Sequence, residues 1–194
     1  MNSDALQPIS ALSGTVIKRW SGVEMALGGG NEVLDEFSDQ DGAHRTTAMV
    51  WEHPSIPFVQ FIHLDLALSD GRVVRIISEV EGNSHIYGLH FIESEALAPE
   101  TAAPKDSIYR RRELPELPTG AVRVEVAREK ASSTAIDVYF HVNGAVVRLL
   151  AGEVYERDER FEIVEADESI LIQLNGQRPN WSLHSDAHAP HGRR

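Results

Sequence analysis

The sequence predicts a mainly β protein: two related antiparallel β-meanders packed together, with one or two short helices near the start. Three observations predict it. Apolar and polar residues alternate at period two in several stretches, as half-buried strands require. Asp70-Gly71 and Asn143-Gly144 stand where such stretches reverse, and glycine accepts the positive φ of a tight hairpin turn. Finally, the run Asp65 to Ile77 is echoed by Val138 to Leu150, with Gly71 and Gly144 in matching places. Each copy is followed by an acidic run, Phe91-Ile92-Glu93-Ser94-Glu95 and Ile163-Val164-Glu165-Ala166-Asp167.

Ser3 to Leu12 suits a short helix or a loose arm, because Pro8 opposes anything longer. Val16 to Trp20 and Val23 to Leu27 have strand-forming composition and are expected to pair as a hairpin across Ser21-Gly22. Gly28-Gly29-Gly30 reads as a turn or hinge; no Gly-Lys-Ser/Thr follows it, so it is not a phosphate loop. Asn31 can cap a short helix with Val33, Leu34 and Phe37 on one face. Asp39 to Gly42 closes it as a solvated turn, since the later oxygen ligands of a calcium loop are missing.

His44 to Trp51 and Phe58 to Leu68 read as strands separated by Pro54 and Pro57. Alternation puts Ile62, Leu64, Leu66 and Leu68 on one face of the second, and Phe61, His63, Asp65 and Ala67 on the other. Val73 to Ile77 and Ser84 to Glu93 complete the first meander. The alanine- and proline-rich run Ser94 to Pro104 is expected to connect an N-terminal half, 1–104, to a C-terminal half, 105–183. Arg110-Arg111-Arg112 reads as a cluster that neutralises neighbouring carboxylates or lies solvated. Val122, Val124 and Val126 define a half-buried strand, as do Ile136, Val138, Phe140 and Val142. Val146 to Tyr155, Phe161 to Glu165 and Ile170 to Leu174 follow as three more strands, and 184–194 as a flexible tail.

Composition narrows the function. The chain has 194 residues and a formal charge of −12, which opposes nucleic acid and anionic membranes as ligands and favours a basic partner. With no cysteine, thiolate catalysis and thiolate metal sites are excluded. Met1 to Pro8 lacks a basic-then-apolar leader pattern, so a cytoplasmic location is expected.

His63 and Asp65 share a strand face near His85 and His90, the best candidate here for metal or acid-base chemistry. Against it, His85 and His90 have opposite parity, and the second copy carries Asp137 and Tyr139 where the first has His63 and Asp65. No nucleophile elbow, dinucleotide fingerprint or zinc spacing is present, so neither an enzyme nor a cofactor is expected. What remains is the carboxylates at the ends of the two copies: Glu79, Glu81, Glu93 and Glu95, and Glu153, Glu156, Asp158, Glu159, Glu162, Glu165, Asp167 and Glu168. Acidic rims are usually just solvated, but the second set is dense enough to make a field that a basic protein would feel.

The meander Leu66 to Phe91, with Asp70-Gly71 and Tyr87-Gly88-Leu89, in a small acidic chain resembles the immunity proteins of bacterial polymorphic toxin and contact-dependent inhibition systems. That resemblance implies a dedicated binder of a toxin domain, and the acidic charge adds the expectation that this partner is basic, of nuclease type, and is neutralised by carboxylates offered in place of a phosphate surface. The alternatives are a metal- or small-molecule-dependent β-fold enzyme using His63, Asp65, His85 and His90, and a structural or assembly subunit that pairs through a sheet edge.

Overall fold

The computed structural model describes residues 7–31, 46–80, 86–94, 107–129, 135–157 and 160–179. One helical turn, α1 (Gln7–Ser10), precedes eleven strands. These are β1 (Val16–Met25), β2 (Gly28–Asn31), β3 (Thr46–Val50), β4 (Val59–Leu68), β5 (Val73–Val80), β6 (Tyr87–Ser94), β7 (Tyr109–Glu113), β8 (Gly120–Glu129), β9 (Ala135–Val142), β10 (Ala145–Arg157) and β11 (Arg160–Leu174). The protein is mainly β and antiparallel, as its alternation predicts. The expected helix after Asn31, the connector around Pro104 and the tail 184–194 lie outside the described residues.

Nine strands form one sheet in the order β6-β5-β4-β11-β10-β9-β8-β1-β7, and β4 also pairs with β1. That extra pairing closes a ring, β1-β4-β11-β10-β9-β8. β4 makes this possible by dividing one edge between two partners, β11 along Val59 to Phe61 and β5 along His63 to Ala67. β1 is divided in the same way between β8 and β7. Strands before and after residue 104 thus interleave in one sheet around one apolar core, and do not form two separate packing units.

Four expectations are corrected by this arrangement. Ser21-Gly22 is not a turn; β1 runs straight through it. Gly22 is there for close approach, because a Cβ at that position would lie 2.6 Å from the His63 carbonyl oxygen and 2.9 Å from the Phe61 ring. The register slips by one residue between Val23↔His63 and Glu24↔Phe61. This bulge turns Phe61 to the side that carries Leu64, against Gly22, instead of leaving it with His63 and Asp65. The glycine run is also no simple hinge: Gly28 to Asn31 pairs with β3 through a bulge, and Gly29, at φ 85°, packs against the Ala48 backbone. Lastly, Phe161 to Glu165 and Ile170 to Leu174 belong to one strand, β11, broken by an excursion at 166–169.

The core is fastened at Phe140 of β9. Its ring meets Trp20 of β1 edge-on, centroids 5.6 Å apart, and stacks with Phe91 of β6 at 6.2 Å. Trp20 donates its indole N–H to the Pro118 carbonyl at 2.8 Å, so its polar atom is satisfied where the ring is buried. No helix among the described residues is long and apolar enough to cross a membrane.

Candidate functional site

The excursion in β11 gathers three carboxylates from the described residues. β10 and β11 pair regularly down to Gly152↔Glu165, and the next pair is Ala151↔Ile170, which leaves 166–169 out of the ladder. Ala166 takes φ 58°, the left-handed region a β-branched residue would resist, and turns the chain outward. Asp167 and Glu168 are thereby carried over Glu153, so that ligand oxygens of all three lie within 4.8 Å of one another.

Neutral donors hold this group. Ser169 donates to Glu153 Oε2 at 3.3 Å, and Tyr155 donates its hydroxyl to Asp167 Oδ2 at 3.1 Å. Ser78, from β5, donates to the Asp167 carbonyl at 2.6 Å, and the Glu168 amide donates to Asp167 Oδ1 at 2.8 Å. Glu153 is only 6% exposed. Burial pushes its carboxyl above the usual range, and the charges of Glu168 and Asp167 push it further. Burial and Glu153 likewise push the Tyr155 phenol up to about 12. Tyr87 of β6 is also raised, first by Glu168, which places it at the same rim.

The structure distributes the other expected carboxylates unevenly. Glu79 stands at the β5 end where Ser78 meets the excursion, though on the opposite face of the strand. Glu93 does not: Val80 pairs with Tyr87 and Val73 with Ser94, so Glu79 and Glu93 occupy opposite ends of one hairpin. Glu93 accepts from Arg72 at 2.9 Å, Glu165 from Arg128 at 2.7 Å, and Glu162 lies 3.9 Å from Arg157. The Glu156 carboxylate lies over Gly28, where a Cβ would collide with it. Glu81, Glu95, Asp158 and Glu159 lie outside the described residues, as does His85. Among the described residues, Glu79, Glu153, Glu156, Asp167 and Glu168 have no ion-pair partner.

The histidine face is organised differently. His63 and Asp65 do share a face, but Asp65 is fully buried and both its oxygens accept from Arg75, at 2.8 and 3.1 Å. His63 Nε2 stands 3.8 Å from Asp65, and His90 lies two strands away across Ile77. Burial holds His63 below its ordinary pKa, with Arg75 and Arg111 adding to the effect against the pull of Asp65. This carboxylate serves an internal ion pair.

The chain has no detectable similarity to a known protein family, to a characterised protein or to a solved structure.

Oxygen-only ligands of this kind suit a hard cation such as calcium or magnesium, although three carboxylates make only part of its shell. They suit the ammonium or guanidinium groups of a basic protein equally well. Sequence reasoning found these acids but not Ser78, Tyr155 and Ser169, which hold them. The available signal was the polar run Ala166-Asp167-Glu168-Ser169 between two apolar stretches, which reads as an ordinary turn.

One result follows from Glu153. Because its folded pKa is raised, the native state binds more protons than the unfolded chain in the window above the ordinary value of 4.5. The group therefore costs stability at neutral pH, and the cost fades as pH falls through that window. Glu153→Gln keeps the shape and the Ser169 acceptor, and raises stability at pH 7.5 by about 0.5–2 kcal/mol. Thermal melts across pH would show the gain shrinking toward acid; a gain that does not vary with pH contradicts this account.

Proposed function

We propose that this chain is an acidic binding protein that captures and neutralises a basic protein partner, in the manner of an immunity protein whose partner is a nuclease-type toxin domain. One observation carries the reading: Asp167 and Glu168 of the excursion are gathered over Glu153 of β10, and among the described residues no arginine pairs with them. The arginines are committed elsewhere, Arg75 to Asp65, Arg110 and Arg112 to Glu24, and Arg148 to Asp137. Among the described residues these carboxylates make a negative rim, which steers a cationic surface into contact. A cytoplasmic location, without nucleic acid or membrane as a ligand, belongs to the same reading.

So does descent of the two meanders from one ancestral unit. Its support is an arginine in each first hairpin, Arg75 and Arg148, that grips a buried aspartate with two hydrogen bonds.

The test begins with affinity capture from the source cells on the purified chain, at low and then high salt. For the protein retained, the association rate is compared between the wild type and the double variant Asp167→Lys, Glu168→Lys. A fall of about 10- to 100-fold in low salt, shrinking as salt rises, is expected. An unchanged rate removes this rim from the interface, and retention of no basic protein removes the function.

A further inference from the structure

The outward face of the strip β7-β1-β4-β5-β6 carries a second polar group that the acidic rim does not use. Register sets Arg111, Val23, His63, Ile77 and His90 in one row, and Glu113, Ser21, Asp65, Arg75 and Ile92 in the next. Residues two apart on a strand share a face, so both rows look the same way. Ser21 stands directly opposite Asp65 and diagonal to both His63 and Arg111.

Asp65 is already answered by the two hydrogen bonds from Arg75. The groups around it are not. Ser21 is 1% exposed and its hydroxyl has no hydrogen-bond partner; neither has the buried Nε2 of His63. The Arg111 side chain is only 15% exposed, and its nearest carboxylate oxygen, on Asp65, is 3.9 Å away, beyond hydrogen-bonding reach. Among the described residues its guanidinium makes no hydrogen bond, and its nitrogens are not sealed from solvent, so its five N–H donors are open to a ligand that displaces water. His90, two strands beyond His63, stands outside this group.

Each of these residues can donate, and none has an acceptor within the described protein. Charge points the same way. Arg75 and Arg111 outweigh Asp65 by one positive charge, while Glu113 at the margin is met by Arg19 at 3.5 Å. A guanidinium fork presents two parallel N–H groups, which match the two oxygens of a carboxylate. We infer that Arg111, with Ser21 and His63, forms a binding site for the carboxylate of a small organic acid. One such group satisfies the fork, brings acceptor lone pairs to the serine and the imidazole, and cancels the single excess charge. The ligand enters past Arg111 and His63, the two members with remaining exposure.

Acetate is the probe. NMR titration of the full chain at constant ionic strength, with chloride as the balancing anion, is expected to give saturable shifts at the Arg111 Nε–H and the His63 ring. Arg111→Gln abolishes the saturable response, and Arg128→Gln, which alters an exposed arginine elsewhere, leaves it intact. Should Arg111→Gln fail to fold, Ser21→Ala is the second variant and is expected to weaken acetate at least several-fold. Shifts that are linear in acetate, that chloride reproduces, or that persist in the substituted chains overturn the site. A phosphate response stronger than that of acetate overturns the carboxylate assignment. Partner capture by the acidic rim is unaffected by any of these results, so the two readings fail separately.

Discussion

Replacing Glu24 by alanine lowers the free energy of unfolding by about 3 kcal/mol, the lower end of the cost of breaking a buried ion pair. Glu24 is 1% exposed, and its carboxylate accepts from Arg110 at 2.7 and 3.0 Å and from Arg112 at 3.1 Å. Removal takes away the carboxylate that the Arg110 and Arg112 guanidiniums share, and Arg112 keeps only its longer pairing with Glu116 at 3.6 Å among the ion pairs of the described residues. The lower end of the range applies because Arg110 keeps about a third of its surface in water and can rehydrate, while its stack on Trp51, 3.9 Å to the ring centroid, persists. Urea denaturation monitored by tryptophan fluorescence checks the value. The companion variant Glu24→Leu, Arg110→Met, Arg112→Met is expected to recover most of the loss, because an apolar replacement no longer pays desolvation. If the single and triple variants are equally unstable, the ion pair is not what is lost.

Phe140→Ala is expected to cost more, about 3–5 kcal/mol, the usual range for deleting a fully buried aromatic ring. Against a typical total of about 5–15 kcal/mol, that is enough to leave much of the protein unfolded at body temperature. The ring touches Trp20 and Phe91 from the facing strands, so the cavity opens between β9 and both of them, where rigid strands cannot collapse to refill it. In urea the midpoint falls while the slope is retained. Phe140→Leu, which restores most of the volume, loses less than half as much; equal losses would show that the aromatic contacts matter more than the cavity.

Much of this fold was legible in the alternation of apolar residues. Val122 to Val126 and Ile136 to Val142 lie in strands as read, and Asn143-Gly144 makes the tight turn its composition demands, with φ 49° and 80°. What escaped were the places where a local signal has two physical uses. Glycine at position 22 permits a turn or a close approach, and only the neighbouring Phe61 ring decides between them. The slip opposite Val23 moves Phe61 to the other face, and no periodicity within one strand can foresee a bulge set by its partner. Among the candidate site residues, the acids themselves were visible as composition. Their grouping was not, because Glu79 and Glu93, close together as sequence features, end up at opposite ends of a hairpin. Glu24 passed unnoticed, since an acid inside an apolar strand declares its meaning only when the arginines of β7 are laid beside it.

The divided edge of β4 also orders events in time. Its lower half waits for Ile170 to Ile172, which leave the ribosome long after β4 itself, and contacts so distant along the chain form slowly, in milliseconds to seconds. Until then Val59 to Phe61 present unpaired backbone, a stretch that a chaperone would shield and that crowding would punish. The arrival of β11 ends that exposure, and the same event brings Ser78 from β5 onto the Asp167 carbonyl. The acidic rim is therefore completed only when the ring has closed, so a half-made chain would not display it in finished form.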